Sequence, residues 1–264
     1  MMIIGQDKLI NFINATRLET FPHSLMLCGE YGSGKHLITN YIANRFNLPI
    51  ENITETVSLE LIDNLYLDSN PKIYIIEIDK ISYNEQNAIL KFVEEPPVNS
   101  YIILLVENQS YVLETIYNRC NVWLLEKYSF EVLSQFCENQ MLCEIFTTPG
   151  QLIKAQNLNY DEMNSLAVKI ITQIENANFS NTLTLVNKFD FDKKDDGGKY
   201  DPVIFGKLLI YNSKRLYKES AEPKYYNAYM VSSEFNNNLR IPKVDKKMLF
   251  YNYLIKLRKA MRGE

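Results

Sequence analysis

The sequence is short of what a metalloprotein, a disulfide scaffold or a membrane span would need. It has two histidines, one tryptophan and four cysteines, Cys28, Cys120, Cys137 and Cys143. No two cysteines form a C-x-x-C pair, and so few histidines could help them, so no zinc site and no other metal site is expected. Unpaired thiols in a reducing compartment are the plain reading. No run of eighteen apolar residues occurs, which excludes a helical bilayer span from expectation. The opening "MMIIGQDKLI" is apolar for only four residues and lacks a basic leader. No signal peptide is expected, and a cytoplasmic location follows. Basic charge is not in excess: the net charge is −4, which argues against a broad electrostatic grip on nucleic acid while leaving room for a local patch. Repeats and low-complexity tracts are also missing. What remains is an ordinary globular composition, 46% hydrophobic and 23% charged over 264 residues, enough for one large domain or two to three small ones.

The first half alternates apolar runs with helical periodicity. "HSLMLCG" (23–29) reads as a buried strand ending in glycine. "KHLITNYIANRF" then places Leu37, Ile38, Tyr41, Ile42 and Phe46 at helical spacing. "KIYIIEID" (72–79) is a second strand, "SYIILLVEN" (100–108) a third and "NVWLL" (121–125) a fourth. Between the second and third, Ser82 and Glu85 form a capping box. Ala88, Ile89, Phe92 and Val93 follow on one face, and Pro96 and Pro97 stop the helix. "YVLETIYNRC" reads as a short helix. Apolar strands alternating with helices predict an α/β fold with a mainly parallel sheet covered on both faces. From about Lys127 the pattern is helical to the end, broken by "TTPG" (147–150) and by a charged, solvated loop at 190–202. The closing helix carries Lys256, Arg258, Lys259 and Arg262 in its last turns, where the helix dipole favours cations.

The chemistry concentrates in "CGEYGSGKHLIT". Gly29, Gly32, Ser33, Gly34 and Lys35 spell a phosphate-binding loop, G-x-x-x-x-G-K-[ST], up to its last letter. Glycines let the backbone curl so that N–H groups and the following helix N-terminus face phosphate oxygens, with Lys35 adding a point charge. A ligand-free strand-to-helix turn is the plainer reading, and the flanking strand, helix and lysine favour the phosphate loop. His36 replaces the hydroxyl that would ligate Mg²⁺, a hard cation that prefers oxygen. Nucleotide could still bind through the backbone and Lys35, but the change argues against Mg²⁺ binding and efficient hydrolysis. The acid site is irregular too: Glu77 and Asp79 are separated by Ile78 rather than adjacent. If the strand runs through both, residues at i and i+2 share a face and could point at one site; solvated acids at a strand end are the equal alternative.

Five segments together resemble the delta-prime and gamma/tau subunits of bacterial clamp loaders, AAA+ proteins of the DNA polymerase III holoenzyme. They are "GQDKLINFI", "PHSLMLCGEYGSGKH", "NAILKFVEEPP", "ENQSYVLETIYNRC" and "TPGQLIKA", spanning about Ile4 to Ala155. The most specific are "NAILKFVEEPP", similar to N-A-L-L-K-x-L-E-E-P-P, and "TIYNRC", similar to T-I-x-S-R-C, with Asn118 in place of serine. The last hundred residues resemble the family only in being helical and in the place of its collar.

The resemblance implies an AAA+ domain over 1–126, a helical lid over 127–164 and a helical collar over 165–264. It implies that Arg119 reaches as a trans arginine finger into a neighbouring subunit's ATP site, a role suited to a permanently charged fork. It places Asn108 at the first sensor, Lys154 near the second (usually arginine), and Gly5 and Gln6 near the adenine. Glu77 and Asp79 stand at a degenerate acid site. The four-cysteine zinc module of bacterial members is missing between the loop and the second strand. A chain that keeps its finger and loses its own metal ligand looks like the delta-prime stator, with ATP or ADP at most held statically and its own ATPase weak or absent. Partners implied are other clamp loader AAA+ subunits, a sliding clamp and primer-template DNA, with no membrane. A gamma-type ATPase that tolerates His36 is the alternative.

Overall fold

The computed structural model describes residues 3–53, 57–158, 160–176, 201–239, 241 and 244–263. They fall into two compact units, residues 1–135 with 148–150, and residues 136–147 with 151–264.

The first unit is built on five parallel strands: β1 (Ser24–Cys28), β2 (Ile50–Asn52), β3 (Lys72–Glu77), β4 (Ser100–Val106) and β5 (Asn121–Leu124), in the order β2-β3-β4-β1-β5. Its helices are α1 (Asp7–Ala15), α2 (Lys35–Phe46), α3 (Leu59–Leu65), α4 (Tyr83–Ala88), α5 (Leu90–Glu94), α6 (Glu114–Tyr117) and α7 (Phe130–Leu133). The three central strands, β1, β3 and β4, are mainly apolar because both faces are buried, and alternate residues serve opposite faces. Leu25, Leu27, Ile73, Ile75, Tyr101, Ile103 and Leu105 face Leu9 and Ile13 of α1 and Ile38 and Ile42 of α2. Met26, Cys28, Tyr74, Ile76, Ile102, Leu104 and Val106 face Ile62 of α3, Ile89, Phe92 and Val93 at and within α5, and Ile116 of α6. Truncating a fully buried residue such as Leu27 to alanine costs roughly 2–5 kcal/mol in such settings.

Four strands were expected; the fifth, β2, is three residues long and only half buried, too short and polar to show a period. The capping box forms as read: Glu85 N–H donates to Ser82 Oγ (3.4 Å), and Ser82 N–H donates to Glu85 Oε2 (2.7 Å). The helix after it is broken at Ile89 into α4 and α5 and ends at Glu95, before the two prolines.

The second unit contains α8 (Gln140–Ile145), α10 (Tyr160–Gln173), α11 (Pro202–Ser220), α12 (Pro223–Asn238) and α13 (Lys246–Arg262), together with Gln151 onward of α9 (Pro149–Asn157). Helix α11 packs against α10 and α12, and α12 against α13. Phe205, Phe235, Phe250 and Tyr253 fill the space between α11, α12 and α13, with the Phe235 and Tyr253 rings 4.7 Å apart. The solvated loop read over 190–202 lies mostly outside the described residues. Its last two residues are part of a helix start: Asp201 accepts N–H groups of Val203 and Ile204 (both 2.9 Å), and Pro202 takes the first helical position.

Candidate functional site

The glycine loop runs from the end of β1 to the start of α2. Gly29 N–H continues the sheet ladder to Val106 O (2.9 Å). A Cβ there would sit 2.7 Å from Ser33 Oγ, so the turn admits only glycine without movement. Gly32 (φ +77°) and Gly34 (φ +89°) take the left-handed conformation that bends the loop back over the helix start. No side chain caps α2, whose first residue follows Gly34 directly. Its first-turn N–H groups therefore present the positive end of the helix dipole to whatever lies above the loop. Ser33 Oγ is buried without a hydrogen-bond partner among the described residues.

Lys35 is buried and folds over the loop: Nζ donates to Gly29 O (2.6 Å) and Glu30 O (3.1 Å) and lies 3.9 Å from Glu107 Oε1. Burial lowers its pKa below the ordinary lysine value, and the charges of Glu107, Asp79 and Glu77 offset part of that. The donor set fits an anion of the phosphate class. It does not fit a hard divalent cation equally well. His36, where a hydroxyl would stand, points at Glu77, with Nε2 3.6 Å from Oε1, and Glu77 also pairs with Lys80 (2.8 Å).

The strand reading of the two acids needs correction. Strand β3 ends at Glu77, and residues Ile78–Lys80 form a 3₁₀ turn. Ile78 is fully buried in the same cluster as Tyr74 and Ile76, and the chain leaves the sheet ladder after Glu77. Glu77 and Asp79 therefore do not share a strand face. Glu77 goes to His36 and Lys80, whereas Asp79 accepts the backbone N–H groups of Glu107 (2.6 Å) and Asn108 (3.2 Å) beyond β4. Burial raises the Asp79 pKa, countered by these two N–H donors and by Lys35. The Asn108 side chain accepts from Ser110 N–H (3.1 Å), capping a 3₁₀ turn.

Several supports of the loop gave little sequence signal. The carbonyls of three loop residues each accept a hydrogen bond. Thr148 Oγ1 donates to Tyr31 O (2.8 Å), Gly150 N–H to Gly32 O (3.0 Å) and the Tyr128 hydroxyl to Ser33 O (2.8 Å). Gly150 allows the closest approach: a Cβ there would sit 2.5 Å from Gly32 Cα. The glycine of "TTPG", read as a chain break, is thus a seat for the phosphate loop. Tyr128 in turn covers Gly5, where a Cβ would meet its ring at 3.2 Å. Gln6 is buried and pairs its side-chain amide with Glu126, donating to the carbonyl (2.9 Å) and accepting from the N–H (2.8 Å).

Arg119 follows α6 and is exposed. Its Nε donates to Glu94 Oε2 (2.9 Å) and a terminal nitrogen to Thr115 O (3.0 Å). Lys154 belongs to the second unit, where it forms an ion pair with Asp201. Of the basic residues closing α13, Lys256 pairs with Glu234 (2.6 Å) and Arg262 donates twice to Glu175 O. These contacts, with the helix dipole, account for the charge of both residues.

A parallel five-stranded sheet with a glycine loop between its first strand and the following helix makes the first unit an α/β domain of the phosphate-loop kind. Comparison with known proteins narrows this. Residues 48–129 match the family described as DNA polymerase III, delta subunit. DNA polymerase III subunit gamma of Buchnera aphidicola subsp. Schizaphis graminum is 27% identical over 219 residues, 70% of this chain and 56% of that protein. DNA polymerase III subunit delta' of Haemophilus influenzae is 30% identical over 77 residues, 29% of this chain and 24% of that protein. The match thus spans little more than half of the first relative's length and a quarter of the second's. Among solved structures, a DNA polymerase III gamma subunit-related protein of Thermotoga maritima aligns over 98% of this chain and 100% of its own, at 13% identity and a TM-score of 0.47. Parts of the chain are thus similar to the gamma and delta' subunits of DNA polymerase III.

Proposed function

We propose that this chain is a clamp loader subunit of the delta-prime type, a stator that lends Arg119 to the ATP site of a neighbouring AAA+ subunit. The observation that carries the reading is the setting of Arg119. It stands exposed at the end of α6, tethered by one ion pair to a half-exposed carboxylate and one carbonyl. Such a surface pair is worth about 0–1 kcal/mol, so a phosphate group of a partner can displace it. The divergence of Glu77 and Asp79 and the His36–Glu77 contact support the other half of the reading. The chain's own pocket has neither the hydroxyl nor the adjacent acids that metal-assisted hydrolysis uses.

On this reading Gly29, Gly32, Ser33, Gly34 and Lys35 would hold the phosphates of ATP or ADP, with His36 and Asn108 at the positions the family uses to finish that site. A bound nucleotide would supply anionic oxygens for the α2 N-terminus and Lys35; the chain's own residues hold and orient it. Residues 127–164 would act as the lid and 165–264 as a collar joining other loader subunits, with a sliding clamp and primer-template DNA as the assembled ring's partners.

The longer alignment is with gamma subunits, which favours a second reading, a working gamma-type ATPase. ATP turnover by the isolated chain, with and without primed DNA, separates the two. The stator reading expects turnover near background; turnover at the rate of a loader motor overturns it.

A further inference from the structure

We infer that the second unit carries a binding cleft for single-stranded nucleic acid beside the turn of the α11–α12 hairpin. A cavity of about 270 Å³ lies there, lined by Lys214, Tyr217, Lys218, Tyr226 and Tyr229. The hairpin turns through Ala221 (φ +56°) and Glu222 into Pro223, which sets the two helices side by side. Spacings of three and four residues then put Lys214, Tyr217 and Lys218 on one face of α11, and Tyr226 and Tyr229 on the facing side of α12. The ring centroids form a chain, Tyr217 to Tyr226 at 5.6 Å and Tyr226 to Tyr229 at 6.2 Å. Tyr217 is 40% exposed and Tyr226 48% exposed.

Three tyrosines with two lysines at their rim match one chemistry closely. Every nucleobase offers a π face that stacks on an aromatic ring whatever its sequence, and the linking phosphates need cations one nucleotide away. The local charges are arranged for it. Glu219 pairs with Arg215 (3.8 Å) and Glu222 with Lys224 (3.0 Å), so the nearby carboxylates are engaged elsewhere. Lys214 and Lys218 have no ion-pair partner among the described residues. A duplex keeps its base faces stacked internally and cannot use the rings. The cleft belongs to the second unit alone and does not depend on the role of Arg119.

The test uses the full chain and a fluorescein-labelled 20-mer of deoxythymidine, read by anisotropy across a salt series. The inference expects saturable binding, weakened about tenfold per ring by Tyr217→Ala and Tyr226→Ala and little changed by the Tyr→Phe pair. It expects Lys214→Gln with Lys218→Gln to reduce the slope of log affinity on log salt by about 1.4, since each contacted phosphate contributes ~0.7 on a single strand. Tyr226→Trp should show indole quenching on addition of the strand. Because Tyr217 and Tyr226 are exposed, their variants should fold, and a thermal melt checks this. Three outcomes would overturn the inference: equal binding of the same-length duplex, affinity unmoved by the double tyrosine variant in a folded protein, or quenching of the indole in the Tyr226→Trp variant by a proline-rich peptide and not by the strand.

Discussion

Two regions of the first unit hold their charges in opposite ways. At the phosphate loop everything is tied inward. Lys35 is buried on two loop carbonyls, three further carbonyls are fastened by Tyr128, Thr148 and Gly150, and Asp79 is spent on two backbone N–H groups. At the end of α6, Arg119 is tied loosely and outward, to one half-exposed carboxylate and one carbonyl. Local free energy separates them: displacing the loop breaks several part-buried hydrogen bonds together, whereas releasing Arg119 costs about one surface pair. The proposed stator role would use this division, with a fastened pocket that need not turn over and a cation ready to leave.

The largest effect expected from breaking this contrast is at Arg119. Arg119→Ala should lower ATP hydrolysis by an assembled complex by ~10³ or more, as loss of an arginine finger does elsewhere. Urea denaturation of the same variant should shift by no more than about 1 kcal/mol. Next comes the loop's seat. Gly150→Ala places a methyl 2.5 Å from Gly32 Cα and 2.9 Å from its carbonyl oxygen, both backbone atoms. It should cost about 1–3 kcal/mol by the same denaturation, with most of the loss absent in Ser33→Ala.

A smaller effect comes from Lys35. Its folded pKa is lowered, so the unfolded chain keeps the proton longer as pH rises. The cost of burying the cation is fully present below the folded pKa and is relieved as pH climbs from there toward 10.5, the unfolded value. The wild type should therefore gain stability relative to Lys35→Met over that window, and a flat difference would show that the ammonium is not buried as described. The smallest effect is at Glu94: Glu94→Gln should change stability by at most about 1 kcal/mol while freeing the guanidinium.

Much of this was legible in the sequence because it rests on local rules. The glycine loop, the Ser82–Glu85 capping box, the double-faced strands and the helix stop before Pro96 each follow from residues within a few positions of one another. What was not legible depends on distance along the chain or on burial of a single side chain. Alternation through "IIEID" carried the strand past Glu77, because Ile78 is buried with Tyr74 and Ile76 as a strand residue would be, although the backbone there has already turned into a 3₁₀ helix. Gly150 is separated from Gly32 by more than a hundred residues, so its contact with the loop left no mark beyond a glycine after a proline. Asp201 looked like one more acid in a solvated loop, whereas it caps α11 and pairs with Lys154. Strand β2, three half-buried residues at the sheet edge, has no period to read.

The most direct measurement is ATP turnover by one reconstituted complex carrying either Arg119→Ala or Lys35→Met in this chain. The account predicts that the arginine variant abolishes most of the turnover while the lysine variant leaves it within about twofold of wild type. The reverse pattern, with activity lost at Lys35 and kept at Arg119, would contradict it.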